Sequence, residues 1–208
     1  KKLFLASFAS VSIELVIDLL PKPASQLKAA FIPTAGDPYD NKDFVYVDRE
    51  AIVKMGMTVV DIDLKTTKGY DLEKALHDID VILVAGGNTF YLLDQAKKSG
   101  FDSIVKKCIE RGVIYIGSSA GSILCCPTVE GAKRFDSPAD APDLTDYTGL
   151  DLIDFVIIPQ AHKEKYKDRI RETIDDMNGK GLEVKTLTDN QAIIINDDDV
   201  KIVEIPLI

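Results

Sequence analysis

The sequence predicts an α/β fold: a mostly parallel, doubly wound sheet covered by helices on both faces and finished by a C-terminal β-hairpin. Three observations predict it. Short β-branched and apolar runs alternate along the chain with segments of helical period. Several apolar runs, such as Val81-Ile82-Leu83-Val84-Ala85, are continuous rather than alternating, as expected of strands covered by helices on both faces. The last two runs are separated only by Asp197-Asp198-Asp199, a turn that joins antiparallel neighbours at a sheet edge.

Taken in order, the first strand is expected at 2–6. Lys1-Lys2 followed by Leu3-Phe4-Leu5-Ala6 superficially resembles a secretory leader, but Glu14 and Asp18 interrupt the apolar stretch, so it reads as a first buried strand. Further strands are expected at 30–33, 58–64, 81–85, 113–117, 155–159, 184–186, 192–196 and 201–205. Helical period places helices at 13–20, 41–55, 71–78, 89–98, 102–111, 119–125 and 164–177. Residues 128–150 are the least regular, with Gly131, Pro138, Pro142 and Gly149, and are long enough to be functional rather than a simple connection. With no internal repeat and no linker, 1–208 reads as one domain, large enough to bury a core without disulfides or structural metal.

Composition narrows the function. A formal charge of −9 argues against a nucleic-acid partner, which wants a basic face. No stretch approaches the length of a membrane span, so no membrane partner is expected either. The three cysteines, Cys108, Cys125 and Cys126, have no metal-ligand spacing, and their odd number suits a reducing, cytoplasmic setting. Cys125 and Cys126 are expected to pack as small apolar residues. The run of aspartates at 197–199 is a solvated turn, because consecutive aspartates in a tight turn cannot all face one ion. No metal or cofactor is expected.

In a doubly wound sheet the chemistry gathers in loops beyond the carboxyl ends of the strands, and three such loops stand out. Tyr115-Ile116-Gly117-Ser118-Ser119-Ala120-Gly121 carries Gly-x-Ser-x-Gly at a strand-to-helix turn. Such a turn strains the backbone at Ser119 and exposes its hydroxyl, making it a candidate nucleophile; the rival reading is an ordinary helix N-cap. Gly86-Gly87-Asn88-Thr89 follows the strand at 81–85 and opens a helix that Asn88 or Thr89 can cap. It lacks the spacing of a phosphate loop or dinucleotide fingerprint, so the amides of Gly87 and Ala120 are read as a candidate oxyanion hole.

Of the two histidines, His77 lies in the polar helix Asp71–Asp78 and reads as a surface residue, while His162 follows the apolar strand at 155–159 on the side where Ser119 should emerge. His162 is therefore the candidate general base. Asp189, in Leu187-Thr188-Asp189-Asn190, is either the carboxylate that orients it or a turn aspartate.

Gly86-Gly87-Asn88-Thr89-Phe90, then the Ser119 elbow, then Cys126-Pro127-Thr128 together resemble the aspartyl dipeptidase (peptidase E) family of serine peptidases, to which cyanophycinases are more distantly related. Leu3–Ser7 and Phe31-Ile32-Pro33-Thr34-Ala35 match as well, so the resemblance runs over nearly the whole chain. It implies a fold related to class I glutamine amidotransferases and a Ser119, His162, Asp189 arrangement with Gly87 and Ala120 as oxyanion hole. It further implies substrate-binding roles for Asn88 and for Asp136, whose carboxylate would hold the amino terminus of a dipeptide. The expected partner is a small peptide, with aspartyl dipeptides as the family's preference, and the assembly a monomer or homodimer.

One departure bears on mechanism. The family commonly has histidine directly after the proline that ends the 155–159 strand, whereas this chain reads Pro159-Gln160-Ala161-His162. Either a short insertion restores His162 to the site or hydrolytic competence has been lost. Three readings follow: a serine exopeptidase working through an acyl-enzyme, a degenerate relative that binds a peptide or amino-acid derivative, or an amidase on the same scaffold.

Overall fold

The computed structural model describes residues 1–206. Among the described residues nine strands form in chain order: β1 (Lys2–Ala6), β2 (Lys28–Ile32), β3 (Thr58–Asp61), β4 (Val81–Val84), β5 (Ile114–Ser118), β6 (Phe155–Ile158), β7 (Glu183–Thr186), β8 (Gln191–Asn196) and β9 (Asp199–Glu204). Seven strands make the main sheet in the order β3-β2-β4-β5-β1-β8-β9. The first five run parallel, and β8 and β9 add an antiparallel pair at the edge, as the C-terminal hairpin predicts.

Strand side chains alternate between faces, and here both faces are buried. Leu3 and Leu5 join one core and Phe4 and Ala6 the other; Ile82 and Val84 lie opposite Val81 and Leu83 in the same way. Two apolar layers require helices on both sides, which accounts for the continuous apolar runs. The α-helices are α1 (Ala9–Ser12), α2 (Asp43–Lys54), α3 (Gly69–Ala75), α4 (Thr89–Ser99), α5 (Phe101–Glu110), α6 (Ala120–Ile123) and α7 (Lys167–Gly179). Among the described residues no helix is long and apolar enough to cross a membrane.

Two expectations are corrected. The helix expected at 13–20 is a 3-10 helix over Ile13–Leu19, whose buried residues Ile13, Val16 and Leu19 recur every third position. That spacing suits three residues per turn better than 3.6. The strands at 155–159 and 184–186 form, but outside the main sheet, as a separate parallel pair β6-β7. The free edge of β1 is already taken by β8 through Ala6 opposite Ala192, leaving β6 no place there. β6 docks instead behind the serine elbow, where the Ile157 amide donates to Cys126 Sγ at 3.3 Å. Burial pushes the Cys126 thiol up to about 12, so it packs as an inert apolar group, as expected.

Candidate active site

β4 and β5 are parallel neighbours with Val84 opposite Gly117, so the loops that follow them leave the sheet side by side. The second of these loops is the elbow. Ser119 adopts φ 47° and ψ −106°, a conformation disfavoured for a residue with a side chain. Its neighbours leave no alternative to glycine. A Cβ on Gly121 would lie 2.1 Å from the Val84 carbonyl oxygen, and one on Gly117 would lie 2.7 Å from Gly121 backbone. The turn is clamped by buried hydrogen bonds. Tyr115 OH donates to the Gly121 carbonyl at 2.7 Å, Ser122 Oγ to the Ala6 carbonyl at 2.8 Å, and the Ser119 amide to the same Ala6 carbonyl at 3.0 Å. Strain at one residue persists because the surroundings over-determine it.

The loop after β4 comes up against this serine. A Cβ on Gly86 would lie 3.3 Å from Ser119 Cβ, and one on Gly87, at φ 147°, would lie 2.0 Å from the Ala35 carbonyl oxygen. Gly87 is thus required by the close approach of backbone to backbone, while Gly86 leaves little room beside Ser119. α6 spans only Ala120–Ile123, so the helix dipole contributes little and the individual amides at its start matter more. Asn88 is the N-cap of α4: its Oδ1 accepts from the Phe90 and Tyr91 amides, and its Nδ2 donates to the Ser137 carbonyl and Asp140 Oδ2. Those contacts occupy the whole side chain, which is buried and holds the 136–140 segment against α4.

A cavity of ≈ 260 Å³ opens at Ser119 and is lined also by Gly86, Gly87, Asp48, Asp136 and Gln160. Asp136 Oδ2 accepts from the Thr89 amide at 2.9 Å and Thr89 Oγ1 at 2.6 Å. Burial raises its pKa above the ordinary value, with the Thr89 hydrogen bonds pulling the other way.

The candidate triad comes together only in part. Asp189 stands at the same end of the sheet, where its Oδ1 accepts from Ser7 Oγ at 3.2 Å, and Ser7 Oγ in turn accepts from the Gln160 amide at 2.8 Å. His162 Nε2 lies 3.6 Å from Asp189 Oδ2, but the ring is 46% exposed and is not among the residues lining the cavity. Gln160, at φ 59°, turns the chain there and occupies the cavity wall. Lys163 Nζ donates to Gln160 Oε1 at 2.8 Å and stands 3.6 Å from Asp189 Oδ2. The strand geometry that would carry His162 to the same side as Gln160 ends at Ile158.

Sequence reasoning missed Asp48, although a signal was present. Val45, Asp48 and Ile52 share the buried face of α2, and a carboxylate on an otherwise apolar stripe is unusual. Among the described residues no cluster of acids, histidines and cysteines could hold a metal ion.

With this geometry in view, comparisons with known proteins point one way. The model of Peptidase family S51 matches residues 5–203. "Uncharacterized peptidase Lin0382" of Listeria innocua is 32% identical over 203 residues, covering 96% of this chain and 95% of the relative. "Peptidase E" of Salmonella newport is 34% identical over 167 residues, covering 74% of this chain and 69% of that protein. The crystal structure of a candidate Peptidase E protein from Listeria monocytogenes EGD-e superposes with a TM-score of 0.91 at 27% identity, covering 99% of each chain.

Proposed function

The chain belongs to peptidase family S51, and from that premise we propose that it hydrolyses small peptides bearing a free amino terminus, with Ser119 as nucleophile. The observation that carries this reading is the strained Ser119 elbow, pinned between two obligatory glycines at the cavity beside the Gly86-Gly87 loop. In the proposed reaction the substrate's ammonium pairs with Asp136, and Ser119 Oγ attacks the scissile carbonyl carbon as a base takes its proton. The amides of Gly87 and Ala120 receive the oxyanion, the carbon–nitrogen bond breaks with the proton passing to the leaving amine, and water then hydrolyses the acyl-enzyme ester.

His162 is the base in this scheme, with Asp189 as its partner. To act, the turn at 160–163 must bring the imidazole from the rim to Ser119 when substrate binds. A second reading draws on a specific observation: Gln160 lines the cavity where His162 does not, which favours a relative that binds peptides without turning them over. Hydrolysis of free dipeptides by wild type, His162→Gln and Gln160→His separates the two. The hydrolytic reading expects an active wild type that loses most of its rate in His162→Gln. An inactive wild type that gains activity in Gln160→His would establish the second reading instead.

The family's aspartyl preference would need a cation to face an acidic side chain. Among the described residues that line the cavity there is none.

A further inference from the structure

Two edge-to-face aromatic pairs wall the cavity: Tyr39 against Phe44, with ring centres 5.4 Å apart, and Phe135 against Tyr166 at 5.7 Å. Phe8 adds a fifth ring. Aromatic faces carry negative quadrupole density and attract cations. The outer surroundings of Tyr166 illustrate this, with Lys165 Nζ held 4.7 Å from the ring centre. Asp48 and Asp136 line the same cavity, and among the described lining residues no lysine, arginine or histidine offsets them. The Tyr39 phenol feels the result: its pKa is raised by burial first, then by the charges of Asp136 and Asp140.

Asp48 is the unexplained member of this set. Only 1% of the residue is exposed, its Oδ1 accepts from the Ser10 amide at 2.7 Å, and its buried Oδ2 has no hydrogen-bond partner among the described residues. Burial pushes the carboxyl up to about 6, with Ser118 and Ser10 pulling it partly back, though no hydroxyl reaches Oδ2 in hydrogen-bond geometry. A buried carboxylate oxygen left without a hydrogen bond of good geometry is costly.

We propose that Asp48 is a specificity-determining residue whose unpartnered oxygen receives a cationic side chain of the substrate, so that the site selects basic over acidic small peptides. The substrate class rests on the reading of this cavity as a peptide site. At ≈ 260 Å³ the space is below that of drug-sized pockets and suits one or two residues of a peptide. An ammonium or guanidinium there would gain a charge-assisted hydrogen bond to Asp48 inside an aromatic wall. The opposing groups are Lys163, which is engaged with Gln160 and Asp189, and Lys165 and Arg169, which sit against the Tyr166 ring; none of the three belongs to the lining.

The test measures binding of Lys-Ala, Leu-Ala and Asp-Ala by calorimetry to the Ser119→Ala protein, which keeps the peptides intact. Lys-Ala should bind about tenfold or more tighter than Leu-Ala, with Asp-Ala weakest. Asp48→Asn and Asp48→Ser in the same background should each erase the lysine advantage while sparing Leu-Ala. Equal or tighter binding of Asp-Ala, no binding of any peptide, or a lysine preference that survives both substitutions would overturn the proposal. An aspartyl preference removed by Lys163→Met would assign selection to Lys163 and overturn it as well. The lysine preference is read in the parent Ser119→Ala protein and stands whether or not the Asp48 variants fold. A lysine preference lost with Asp48, in a protein whose wild type hydrolyses none of the three, would sustain the proposal while removing the hydrolytic reading.

Discussion

Replacing Asp48 by asparagine should favour the folded state more at neutral pH than in acid. The carboxyl titrates at about 6 in the fold, against an ordinary value of 3.8, because burial penalises its charge. Well below pH 3.8 the group is protonated in both folded and unfolded chains and contributes nothing. Between pH 4 and 6 the unfolded chain releases the proton while the fold retains it, so stability falls as pH rises; above 6 the loss is complete. Each tenfold change in proton affinity is worth about 1.4 kcal/mol, so the loss approaches about 3 kcal/mol. For a chain of this length that corresponds to roughly 6–12 °C in Tm. Asparagine keeps an oxygen for the Ser10 amide, and whatever its NH₂ costs at the empty position does not vary with pH. Denaturant unfolding of both proteins at pH 4 and pH 7.5 gives the difference directly. The asparagine variant should gain relative to wild type on going from the lower to the higher pH. A stability difference independent of pH would refute the argument, since it would mean that the Asp48 carboxyl is solvated or partnered in the fold.

Two further outcomes follow from the site. Asp136→Asn should slow hydrolysis of free dipeptides much more than that of N-blocked esters, whose missing ammonium makes the carboxylate irrelevant; equal losses would reduce Asp136 to its contact with Thr89 at the start of α4. Gly121→Ala should cost about 1–3 kcal/mol or more in chemical denaturation and displace the elbow, because its Cβ has only 2.1 Å to the Val84 carbonyl oxygen; wild-type stability would show that the elbow yields easily.

The central sheet was legible because period-2 burial on two faces writes itself as continuous apolar runs, and Lys2–Ala6 coincides with its expected bounds. The separate β6-β7 sheet was not legible. Phe155–Ile158 reads as buried in either place, and its exclusion follows from β8 pairing with β1, a contact between distant segments. The Ser119 elbow and the Gly86-Gly87 loop were legible because close backbone approach leaves only glycine at Gly87, Gly117 and Gly121. From sequence Asn88 reads both as cap and as substrate contact; its position as a fully engaged N-cap depends on Ser137 and Asp140, from an irregular segment whose path has no periodic signal. The positions of Gln160 and His162 hung on whether extended backbone continued past Pro159, and the φ of 59° at Gln160 ends it. Asp48 was hidden by its setting, one carboxylate on an otherwise ordinary amphipathic helix.

The most direct test of Ser119 as nucleophile is to follow a free dipeptide panel with wild type and Ser119→Ala prepared alike, and to quench wild type during turnover of an activated peptide ester for mass mapping. The account predicts turnover by wild type, a loss of several orders of magnitude in the variant, on the order of 10⁶ where a serine triad is fully engaged, and an acyl adduct on the peptide containing Ser119. Hydrolysis by Ser119→Ala at the wild-type rate, or an adduct on any other residue, would contradict it.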